Sequence, residues 1–116
     1  MAEKLTECSF LIPMCQDSVL SDGAPQSADS WEWLRDQFWE TFNTPGTLAP
    51  GLYDGGYTDP DTGERVTDAS RKYILAVKKS DVKKLRAVLR EACRVFEQKC
   101  IYFNVGGTVE FVFPTE

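Results

Sequence analysis

The chain contains no histidine. That removes the side chain most used for proton transfer near neutral pH and a common zinc ligand, so any acid–base work falls to carboxylates, tyrosines, cysteines or lysines. The four cysteines, Cys8, Cys15, Cys93 and Cys100, form no CxxC pair and have no histidine beside them, which argues against a zinc site or a thioredoxin-like redox pair. No metal and no cofactor are expected, and the cysteines read as small apolar residues in or beside strands and on a helix. No apolar stretch approaches the length of a membrane span, and no charged segment leads into an apolar run of the signal-peptide kind. The expected setting is the cytoplasm, with reduced thiols and no membrane contact. Phosphate cradles are missing too, because Gly55-Gly56 and Gly106-Gly107 precede neither a helix nor a GK(S/T) lysine. Asp59-Pro60-Asp61-Thr62-Gly63-Glu64 superficially resembles a calcium loop. An EF-hand would need glycine where Glu64 stands and glutamate where Ser70 stands, so the segment reads as a hairpin turn.

What is present suits one folded unit. A chain of 116 residues can bury roughly two-thirds of its unfolded surface, and 42% hydrophobic residues with three tryptophans are too apolar for a disordered segment. Residues 1–64 carry twelve acids against two bases, while residues 65–116 carry six acids against eleven bases. Within the second half, Lys83, Arg86, Arg90 and Arg94 form a basic stripe on a helical repeat. Such a stripe can face phosphates, but it reads first as a solvated helix face whose late cations suit the helix dipole.

The order of elements gives the fold. Ser9–Cys15 is an apolar strand with Phe10, Ile12 and Met14 on one side, and 16–28 is a long acidic loop rich in Ser, Asp, Gly and Pro. A first helix over Ser30–Phe42 starts at Asp29 as N-cap with Glu32 three residues on, and buries Trp31, Leu34, Phe38 and Phe42. Leu48 to Lys79 reads as an antiparallel pair around the Asp59–Gly63 turn. Ser80 caps a second helix over Asp81–Phe96, and Cys100–Val105 with Thr108–Phe113 closes the chain as a hairpin about Gly106-Gly107. The expectation is a single α+β domain over residues 1–116, ferredoxin-like β-α-β-β-α-β, with an antiparallel sheet and two helices on one face.

Strand alternation then assigns faces. Ile101, Phe103, Val105, Leu75, Val77, Phe111 and Phe113 are expected to point at the helices, with Tyr102, Asn104, Glu110, Lys72, Ile74 and Ala76 on the other side. A half-apolar, helix-free sheet face calls for a cover, and a homodimer through it is the favoured expectation, ahead of a small-molecule site. Tyr57, Tyr73, Gln98, Tyr102 and Glu110 are the candidate ligand-binding residues, each an amphipathic side chain with a polar tip.

From Trp31 onward the chain resembles an uncharacterised bacterial family of small ferredoxin-like domains. The resemblance rests on the Trp-bearing first helix, Gly55-Gly56-Tyr57, Asp61-x-Gly63, Asp68-x-Ser70, and Phe96-x-Gln98 before Ile101-Tyr102. It implies the fold and assigns no catalytic residue. Three functional readings stand in order: a binding or interaction module that dimerises through its sheet; a small enzyme using a carboxylate and a tyrosine, such as Glu110 with Tyr102; and nucleic-acid binding through the basic helix. The last lacks the aromatic, glycine-punctuated strands of ferredoxin-like RNA binders.

Overall fold

The computed structural model describes residues 4–115. In chain order it comprises β1 (Leu5–Pro13), α1 (Ala28–Phe42), β2 (Thr47–Leu48), β3 (Tyr53–Thr58), β4 (Arg65–Lys78), α2 (Val82–Val95), β5 (Ile101–Val105) and β6 (Thr108–Val112). All strand pairs are antiparallel in one six-stranded sheet of order β2-β4-β1-β5-β6, with β3 also pairing β4. No helix among the described residues is long and apolar enough to cross a membrane.

One face of the sheet carries the core. Phe10 lies opposite both Tyr73 and Phe103 in the ladder. With Cys8, Ile12, Leu75, Val77 and Ile101 it meets Leu34 and Phe38 from α1 and Leu85, Leu89 and Phe96 from α2 and its end. Both helices therefore cover the same face, as expected. Rings interlock there: Phe10 stacks on Tyr73 at 5.3 Å and meets Phe38 edge-on at 5.5 Å.

Several local expectations are corrected. Helix α1 starts earlier, with Ser27 as its cap: the Ser27 hydroxyl accepts from the Ser30 N–H at 3.2 Å, leaving Asp29 inside the first turn, where its charge still suits the dipole. Ser80 does not cap α2. Lys79–Asp81 forms a 3-10 turn, and the Val82 N–H is taken up by the Lys79 carbonyl. In the closing hairpin, Val105 pairs with Thr108 and Phe103 with Glu110, so odd residues of β5 share a face with even residues of β6. Val112 is therefore buried, while Phe111 and Phe113 point outward at 58% and 55% exposure. Glu110 stands on the helix side.

The segment from Gln16 to Ser27 is tied down at both ends. Cys15 bridges Pro25, the Gln16 N–H donates to Ala24 O, and the Asp17 N–H donates to Glu97 O at 2.9 Å. The Gln26 side-chain amide donates to Phe96 O at 2.8 Å, and Gln98 donates to Cys15 O at 2.9 Å.

Candidate functional site

Beyond Ser70, its partner for the last residue of β1, strand β4 continues toward its own start with only β3 beside it. The result is a two-stranded ribbon projecting from the end of the sheet in a molecule of 52 × 30 × 29 Å. Pairing within the ribbon sets Tyr53 opposite Ser70, Gly55 opposite Asp68 and Tyr57 opposite Val66. Because Tyr73, Leu75 and Val77 face the helices, alternation puts Asp68 and Ser70 on the helix-free side, with Tyr57 diagonal to Asp68. Gly55 presents no side chain over Asp68: a Cβ there would lie 3.9 Å from Oδ1.

The ribbon's tip is fastened back to the body. Asp59 is buried, its Oδ1 accepts from the Asp61 N–H at 2.8 Å, and the Lys99 ammonium lies 3.6 Å from its Oδ2. These contacts bring the ribbon to the junction before β5, where Asp17 arrives from the loop. An open cleft of about 530 Å³ adjoins this point, lined by Leu20, Gln98, Lys99, Phe113, Pro114 and Thr115.

Charges in this corner set one another's protonation. The Asp61 N–H holds Asp59 below the usual carboxylate range against the opposing effect of burial, with help from Lys99. Burial acts to lower Lys99, yet Asp59, Asp17 and Tyr57 outweigh it and keep the ammonium protonated to higher pH. The Tyr57 phenol is pushed up by partial burial and by Asp17 and Asp59, against Lys99. Burial raises the Asp68 carboxyl, with the Ser70 hydroxyl at 3.4 Å acting the other way. Burial and Asp17 raise the Cys100 thiol, which argues against a thiolate nucleophile. The corner thus offers a cation, an ionised acid and a protonated phenol, and the ribbon that reaches it carries in Asp68 a carboxyl raised above its ordinary range. Such a set can hold a carboxylate-bearing ligand and move a proton.

The five predicted residues do not assemble. Tyr57 and Gln98 come to this end of the sheet, although the Gln98 amide is committed to Cys15 and Phe96 carbonyls. The Tyr73 ring belongs to the core. Tyr102 lies on the helix-free face against Phe111, 6.0 Å between ring centres. Glu110 accepts a bidentate pair from Arg86 at 2.6 and 3.1 Å, so Glu110 and Tyr102 stand on opposite faces and form no catalytic pair. In the basic stripe, Arg86 is spent on Glu110, Arg94 binds Glu91 and the Pro114 carbonyl, and Lys83 is exposed. Sequence reasoning missed Asp68 and Lys99. Alternation along the ribbon placed Asp68 beside Tyr57, whereas nothing local announced that Lys99 would meet the tip. Among the described residues, no three Cys, Asp or Glu side chains come together in a way that would hold a metal ion.

No protein-family model and no curated protein matches the chain. Solved structures do. The chain is similar to a phage SAM lyase in complex with S-methyl-5'-thioadenosine, with a TM-score of 0.70 and 16% identity over 97% of this chain and 92% of that one. It is also similar to a phage SAM lyase in the apo state, at a TM-score of 0.65 and 15% identity, covering 96% and 90%. What is shared is the fold.

Proposed function

We propose that the protein is a small enzyme acting on S-adenosylmethionine or a related sulfonium nucleoside at the ribbon end of its sheet. The observation that carries this reading is the near full-length likeness to phage SAM lyase, and the chemistry of the corner supports it. Lys99 and the Tyr57 O–H suit the carboxylate of an amino-acid chain, and Asp17 suits its ammonium. Cleaving the bond between sulfur and the amino-acid chain sends the bonding pair to sulfur and releases a neutral thioether nucleoside; the adjacent chain carbon gives up a proton, and its C–H pair becomes a carbon–carbon double bond in the amino-acid fragment. Asp68, made more basic by burial, is the group we assign to accept that proton. The strand order β2-β4-β1-β5 also supports the ferredoxin-like plan, with β6 appended at one edge.

The test is incubation of the protein with S-adenosylmethionine and chromatographic detection of the thioether nucleoside. Turnover that falls at least about a hundredfold in Asp68→Asn, within the span of general acid–base effects, supports the assignment. A wild type indistinguishable from buffer, with no heat of binding in calorimetry, contradicts it.

A second reading is self-association through the helix-free face. It is supported by Val109 and Phe111, 45% and 58% exposed, which stand beside Tyr102 on that side.

A further inference from the structure

On the helix side, away from the ribbon, a groove of about 680 Å³ runs between α1 and the β4–β2 edge, a volume in the range of small-molecule sites. Trp39 and Leu48 form its apolar wall, 46% and 48% exposed. The Arg71 guanidinium carbon lies over the Trp31 ring, 4.0 Å from its centre, a cation–π contact that holds the cation at the groove. Tyr73 also lines the groove although its ring is locked in the core. Only its phenol end is placed to reach the opening, and among the described residues nothing hydrogen-bonds to it.

The groove's charges are also uncommitted. Arg35, Glu32 and Asp36 line it from α1, and among the described residues neither they nor Arg71 form an ion pair. Elsewhere on the molecule opposite charges do pair, as in Lys84–Asp81, Arg86–Glu110, Arg94–Glu91 and Lys99–Asp59. Two cations and two carboxylates left unpaired beside an aromatic wall complement a ligand bearing one charge of each sign and an apolar body, and the acids disfavour a polyanion.

We propose that this groove binds a free α-amino acid with a bulky apolar side chain. The ligand carboxylate accepts from Arg71 and the Tyr73 O–H, its ammonium donates to Glu32 and Asp36, and its side chain packs on Trp39 and Leu48. The site is separate from the ribbon corner, and its test does not depend on turnover there.

Tryptophan fluorescence and calorimetry with phenylalanine, leucine and methionine are the measurements, alongside phenethylamine, which lacks the carboxylate, and 3-phenylpropionate, which lacks the ammonium. Saturable binding of at least one amino acid is expected, with phenylalanine, if it binds, at least about tenfold tighter than either analogue. Trp39→Ala and Arg71→Met should each weaken binding by a similar factor, and Asp68→Asn should leave it unchanged. Circular dichroism confirms that each variant is folded. The proposal is overturned if none of the three amino acids gives a saturable signal at millimolar concentration, if the analogues bind as well as phenylalanine, or if both groove variants bind like the wild type.

Discussion

At the scale of single residues, Asp68 is where the proposed function and stability pull apart. Burial makes its carboxyl hold a proton at a pH where the unfolded chain has already lost it. The folded state therefore bears a cost above the ordinary carboxylate range that disappears as pH falls toward it. Asp68→Asn keeps an oxygen for the Ser70 hydroxyl and removes the buried charge, so thermal melts should show the variant more stable than wild type at pH 7, with the gain shrinking as pH approaches 4. An equal or lower melting temperature at pH 7 would contradict the buried-charge account. The thiols give an independent check. Cys15 is exposed, whereas Cys8 and Cys93 are buried, and burial pushes the Cys93 thiol up to about 11 while its S–H donates to Val112 O at 3.3 Å. Alkylation of the native protein, read by mass spectrometry, should label Cys15 first and reach Cys8 and Cys93 only on unfolding.

At the scale of elements, the sequence was most legible where periodicity and burial agree. Leu34 and Phe38 of α1 fall on the predicted stripe, and Leu85, Leu89 and Cys93 of α2 recur at the helical repeat, because each helix has a single sheet to cover. Leu89→Ala, at a fully buried position, should cost about 2–5 kcal/mol in denaturant unfolding. Legibility failed where a one-residue choice decides a face. The Gly106-Gly107 turn fixes the register of β6, and with it the exchange of Phe111 and Phe113 for Glu110 and Val112 on the helix side. That exchange explains why Glu110, expected on the free face, is held by Arg86. The pair is partly exposed, 29% and 37% for the two side chains, so Arg86→Gln should cost only about 0.5–1 kcal/mol and lose its salt dependence. Only part of the site was legible in the same terms. Tyr57 was visible as a polar-tipped residue, whereas Asp68 stood out only as part of the family resemblance, and the contact between Asp59 and Lys99 spans a long loop closure that no local pattern encodes.

At the scale of the whole molecule, the sheet has one face sealed by helices and one left open, with the ribbon extending from its end. Val109, Phe111 and Tyr102 on the open side suit a second copy of the chain. Analytical ultracentrifugation should detect self-association at micromolar concentration, and Phe111→Lys should weaken it without loss of helical signal; a wild type monomeric at high micromolar concentration would reject that assembly. The central claim is that the corner made by the ribbon and the start of β5 is the functional site. Nuclear magnetic resonance of isotope-labelled protein titrated with S-methyl-5'-thioadenosine tests it most directly. The account predicts saturable amide shifts concentrated at Tyr57, Asp68, Lys99 and Cys100. Absence of shifts, or shifts confined to residues remote from this corner, would contradict it.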